Sequence, residues 1–269
     1  MPGPRTQPVN PALTQMPPQS LRKHPATLTL HAELKHRPLP LILSPLRSLL
    51  SHHLVCLLLA MFVAPASADA LLRNLEIAQC ADGELATWGD GQDRMAAAGA
   101  FTFSYRHAGA PSWFKEPQVL SLLQKSAAEW SRCGIPAQVM VAAPGLQSSR
   151  GNIVVQWDAA GSGGHFGLAN LGNHQLSLGA QAFHLLNQRN PTHNALDTLQ
   201  MVLSHEMGHF YGLMAHSRRC VDVLSYYHDG KGGQCFTRNP GLLKAFPEYR
   251  SSLPTACDIQ RCRILNRIP

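Results

Sequence analysis

The sequence predicts an α+β domain in which a mixed, twisted β-sheet packs against a long amphipathic helix, with a further helix closing the chain. Three observations carry this: short alternating or β-branched runs bounded by Gly and Pro, two segments with apolar residues at three- and four-residue spacing, and a globular composition. At 45% apolar and 14% charged over 269 residues, the chain is not a disordered tail, a collagen-like repeat or a polytopic membrane protein. The net charge is +7, but residues 1 to 68 hold six Lys/Arg and one Glu, so +5 of the excess lies there and the rest is nearly neutral. The basic balance therefore belongs to the leader and gives no ground for a nucleic-acid partner.

Residues 1 to 53 are rich in Pro, His, Leu and Arg without sustained periodicity, and they run into the apolar stretch Leu54 to Val63 followed by Ala64-Pro65-Ala66-Ser67-Ala68. That stretch is shorter than the roughly 20 residues a spanning helix needs, and Ala66-Ser67-Ala68 has the small-x-small form of a signal-peptidase site. Residues 1–68 are expected to be a signal peptide with a long N-terminal extension, and 69–269 an exported domain, secreted or periplasmic, with no stable membrane span. A short membrane anchor or a buried core helix is the competing reading of the apolar run. Loss of Cys56 with the leader leaves six cysteines, an even number that in an exported chain points to disulfides. Pairing of sequence neighbours is expected: Cys80 with Cys133, Cys220 with Cys235, Cys257 with Cys262. No C-x-x-C is present to support a cysteine-ligated zinc.

Phe101 to Tyr105 alternates between glycines and reads as a strand. Pro117 then opens a helix with Leu120, Leu123, Ala127 and Trp130 on one face, stopped by Gly134 and Pro136. Gln138 to Ala142 and Asn152 to Trp157 read as strands, and the glycine-rich stretch from Gly161 to Gly179 as two weaker ones. After Pro191, Leu196, Leu199, Leu203, Met207 and Phe210 mark a second amphipathic helix, N-capped by Thr192 or Asn194 and ending at Gly212. Irregular chain follows to about Pro254, then a closing helix over Asp258 to Leu265. Residues 69 to about 98 read either as a short pro-segment or as the start of the domain.

The chemistry is concentrated on the second helix. His205-Glu206-Met207-Gly208-His209 is H-E-x-x-H, whose i, i+4 spacing puts two imidazoles on one face, one turn apart, where they can share a metal while Glu206 reaches a bound water. Gly212 lets the chain turn out of the helix and bring back a third ligand, His216. No phosphate-binding Gly loop, calcium loop or G-x-S-x-G elbow competes with this motif.

H-E-x-x-H-x-x-G-x-x-x-H resembles the signature of the metzincin zinc endopeptidases, H-E-x-x-H-x-x-G-x-x-H or Asp, with one residue inserted so that Ala215 stands where the third ligand is expected and His216 follows it. Asp222-Val223-Leu224-Ser225-Tyr226-Tyr227 is similar to the metzincin Met-turn with Leu224 in the Met position, and Tyr226 falls where astacins and serralysins keep a tyrosine near the zinc. The first helix, ending Ala128-Glu129-Trp130-Ser131, and the closing helix are similar to those of matrixins. The resemblance implies a metzincin-like zincin: one Zn2+ held by His205, His209 and His216, Glu206 as general base and Tyr226 as oxyanion donor or simply a packed ring. It implies a monomeric metalloendopeptidase acting on protein or peptide substrates laid along an edge strand from the 161–179 region. A zinc-holding adhesion or binding module without cleavage is the alternative, as is a structural zinc domain closed by His228. Ser131 to Pro136 looks superficially like the matrixin cysteine switch but follows the first helix, so Cys133 is expected in a disulfide. Asp158, His165, His174 and His184 lack second-metal spacing and read as loop residues.

Overall fold

The computed structural model describes residues 64–269; the apolar run Leu54 to Val63 lies outside them. The chain forms helix α1 (Ala64–Ala78), strand β1 (Phe101–Arg106), α2 (Glu116–Ser131), β2 (Ala137–Val141), β3 (Asn152–Trp157), a one-turn α3 (Ala159–Ser162), β4 (Gly167–Asn170), β5 (Gln175–Leu178), α4 (Ala180–Arg189), α5 (Ala195–Phe210) and α6 (Ala256–Asn266). The five strands make one sheet in the order β2-β1-β3-β5-β4, parallel throughout except for β4, which runs antiparallel at the edge. The α+β class and the mixed sheet are as the sequence predicts. No helix among the described residues is long and apolar enough to cross a membrane.

Period-two alternation explains the sheet. In β1, Phe101 packs on Tyr211 with the rings tilted and 5.1 Å apart, and Phe103 meets Phe210 edge-on at 6.1 Å, so these odd positions face the C-terminal end of α5. Phe103 registers with Ile153 and Val139 on its two neighbours, which extends the apolar row across the sheet. The even positions carry the polar face, where Thr102 accepts from Gln138 and Arg106 donates to Gln156. Helix α2 covers α5: Trp130 donates its indole N–H to Ser204 O at 2.8 Å, and Ser126 and Ser204 share a hydroxyl hydrogen bond at 2.8 Å. Asn194, one of the two expected caps, accepts from Leu196 N and starts α5.

Two helices carry no strong sequence signal. Helix α4 starts after Gly179 with no side-chain cap and buries only Phe183 fully, with Ala180 and Leu186 half-buried on the same face. Helix α1 is held by polar contacts: Arg73 donates to Tyr249 O and Arg250 O, and the buried Glu76 accepts from Thr237 and Tyr249. The segment following residue 69 thus packs as part of the domain.

The disulfides correct the neighbour-pairing expectation in two of three cases. Cys220 pairs with Cys235 as expected, but Cys80 joins Cys257 and Cys133 joins Cys262. The cause is the closing helix, which returns across the domain and presents Cys257 and Cys262 to the chain after α1 and to the end of α2. Three disulfides suit a chain folding in an oxidising compartment. Peptide mapping without reductant should recover the 80–257 and 133–262 linkages, and Cys133→Ala with Cys262→Ala should cost about 2–5 kcal/mol in unfolding free energy, because the closed loop is long.

Candidate metal centre

Helix α5 places His205 and His209 one turn apart, and Gly212 then reverses the chain with φ +98°. A side chain at Gly212 would collide with Arg94 O, and one at Gly208 would meet the Trp130 ring at 2.7 Å, so both glycines permit close approach of neighbouring chain. The turn delivers His216, which is 4% exposed. Ligand atoms of His205, His209 and His216 all lie within 4.8 Å of one another.

Each ring is fixed by its other nitrogen. His205 Nδ1 donates to Val223 O, His209 Nδ1 to Leu213 O, each at 2.8 Å, and His216 Nδ1 to Asp90 Oδ2 at 2.7 Å. Carbonyl oxygens only accept, so His205 and His209 carry their proton on Nδ1 and keep a lone pair on Nε2. Asp90 also accepts from His216 N at 2.8 Å; burial alone would raise its carboxyl, but the contacts with His216 hold it below the ordinary value, ionised and aimed at the ring. His205 Nε2 and His216 Nε2 then face each other at 3.1 Å, close to the roughly 3.3 Å between nitrogens sharing a tetrahedral zinc. Three imidazole nitrogens so placed could hold a metal ion such as Zn2+. Burial, together with the neighbouring imidazoles, pushes His205 well below its ordinary pKa and His209 down to about 4, which keeps both unprotonated at neutral pH.

The flanking residues divide by role. Glu206 is buried beside the edge strand, where its Oε2 accepts from Ala169 N at 2.8 Å, and burial pushes its carboxyl up to about 7. Leu224 is fully buried and packs against α5 at Gly208. Tyr226 stacks on His216 with ring centroids 3.9 Å apart. His228 is exposed and lies outside the histidine cluster, so it does not close the site. Cys133 is in its disulfide. Asp158 caps α3 through Gly161 N, and His184 packs edge-on against Trp113; neither they nor His165 and His174 join a metal-type cluster among the described residues. A grouping of Cys80, Glu84 and Cys257 has its two sulfurs committed to a disulfide.

Sequence reasoning missed the segment that holds the third histidine. Trp88 N donates to His216 O and Arg94 N to Gly212 O. Asp93 Oδ1 accepts from Met214 N and Ala215 N while Arg261 of α6 binds the same carboxylate. The only sequence signal is two aspartates in D-G-Q-D, a spacing with no metal meaning. From the other side, Asp258 Oδ2 accepts from Val223 N, so α6 steadies the peptide that orients His205.

No family model and no curated protein sequence matches the chain. Among solved structures, a chain titled "GM1 bound form of the ECX AB5 holotoxin" is similar over 65% of this chain and 87% of its own, at 12% identity and a TM-score of 0.40. A likeness at that level carries no argument about this chain.

Asp90→Asn should weaken zinc binding about 10- to 100-fold, read by competition with a chromophoric chelator, since it removes the charge that orients His216; unchanged affinity would refute that role. For Glu206, a folded pKa of about 7 against an ordinary 4.5 means stability present below pH 4.5 and lost as pH rises through 7. Glu206→Gln should therefore raise the melting temperature of the metal-free protein at pH 8 and not at pH 4; a shift equal at both would contradict the burial argument.

Proposed function

We propose that the chain is an exported zinc metalloendopeptidase with a metzincin-type site, working as a monomer on protein or peptide substrates. The single observation that carries this reading is the set of three converging Nε2 atoms, each ring tied at Nδ1, with Glu206 on the same helix facing the free edge of the sheet. His205, His209 and His216 would hold the ion. A bound Zn2+ supplies Lewis acidity to a carbonyl and lowers the pKa of water toward about 7.

The chain's own residues do the rest. Strand β4 lies at the edge of the sheet, so its outer side can pair with an extended peptide, apart from Ala169 N–H, which Glu206 holds. Glu206 accepts a proton from the attacking water as the C–O bond forms, and passes it to the amide nitrogen as the C–N bond breaks, giving an amine and a carboxylate. One Glu206 oxygen is held by the edge strand, which restrains the carboxylate between helix and substrate. The Tyr226 hydroxyl, on a ring seated on His216, is assigned as donor to the oxygen where charge develops.

Glu206→Gln should keep stoichiometric zinc while casein hydrolysis falls by about 10² to 10⁴ or more, whereas His216→Ala should lose the metal. Tyr226→Phe should cost about 10² to 10³ if its hydroxyl acts on the oxyanion. A wild type that binds zinc and cleaves nothing defeats the peptidase reading and favours a binding module.

A further inference from the structure

A cavity of about 390 Å³ opens beside His209, bordered also by Arg94, Met95, Arg150, Leu171 and His174. No carboxylate lines it, and its charged groups are all basic. Among the described residues the Arg94 guanidinium enters no ion pair, and only its backbone N–H is engaged, with Gly212 O. Arg150 commits its Nε to Ala97 O and leaves its terminal nitrogens free. The adjacent acid, Asp93, does not neutralise them, because its carboxylate is occupied by Arg261, Met214 N and Ala215 N. His174 is held in the left-handed region at φ +50°, and its Nδ1 is buried without a partner among the described residues.

The cavity stands at the end of the free edge strand. Leu171 follows β4 and His174 precedes β5, while His209 belongs to the metal centre, so strand end and centre share one wall. We infer that this cavity is a substrate subsite for an Asp or Glu side chain of the peptide, close to the scissile bond. The inference rests on the peptidase reading. An extended peptide paired with β4 that presents a carbonyl to the histidines runs toward the cavity that Arg94 and Arg150 border. Two guanidinium groups with unused N–H donors recognise a carboxylate through charge-assisted, forked hydrogen bonds, while Met95 and Leu171 cover its methylenes. A glutamine of the same shape gains neither charge nor fork.

The test uses a labelled set of extended peptides made in pairs with Glu or Gln at each position, and kcat/KM is measured with the zinc-loaded wild type for those it cuts. At one position kcat/KM should favour Glu by about tenfold or more. Arg94→Gln with Arg150→Gln should bring that ratio to about one, and Arg94→Glu should turn the preference toward Lys. Lys125→Gln, on the exposed face of α2, should leave the ratio unchanged. Equal rates for Glu and Gln at every position, or a ratio insensitive to the arginines, overturns the subsite while leaving the peptidase reading intact. The second arm needs no turnover: fluorescence anisotropy of the same labelled peptides on the Glu206→Gln protein. If nothing is cleaved but Glu peptides bind tighter than Gln peptides and lose that advantage with the arginines, the subsite stands and the peptidase reading falls. Neither cleavage nor preferential binding overturns both.

Discussion

Three imidazoles converge only if each ring is held by its far nitrogen, and that constraint organises this domain. It sets His205 Nε2 and His216 Nε2 3.1 Å apart. The holding groups come from three places: Leu213 O at the end of the site helix, Val223 O in the turn below it, and Asp90 from the segment before the sheet. The first is local. The other two require that distant chain be brought to within a hydrogen bond of α5 and stay there.

The rest of the structure can be understood as meeting that requirement. Helix α6 binds both supports at once, Asp258 through Val223 N and Arg261 through Asp93, and the two long-range disulfides at Cys257 and Cys262 fasten the same helix to the chain after α1 and to α2. Behind the turn, the fully buried Arg219 pairs with Asp222 at 3.1 Å and Glu84 at 3.3 Å and donates to Gln79 O. Removal of one partner from such a buried set typically costs about 3–5 kcal/mol, so these charges specify one arrangement of the 217–225 loop more than they add stability. Burial raises both Asp222 and Asp258, which are close neighbours in a dry environment.

Glu206 sits at a cost to the fold: burial that pushes its carboxyl up to about 7 destabilises the folded metal-free protein at alkaline pH. The basic cavity has a similar character, since Arg94 and Arg150 border it and no acid among the described residues lines it.

Local patterns were legible in the sequence because their physics is local. Alternation gave β1, a β-branched run gave β3, three- and four-residue spacing gave α2 and α5, and H-E-x-x-H put two imidazoles on one face by helix geometry alone. Gly212 announced a turn, since few other residues take φ +98°. What needed the tertiary structure was anything set by long-range return of the chain. Cysteine spacing could not say that α6 crosses back to meet Cys80 and Cys133, and nothing near D-G-Q-D marks Asp90 as the partner of a histidine 126 residues on. Helix α1 was hidden for the same reason, held by Glu76 and Tyr249 instead of by a periodic stripe of its own. The sequence by itself determined which groups could bind a metal; only the fold decided which nitrogen each histidine offers, because that depends on acceptors supplied from elsewhere in the chain.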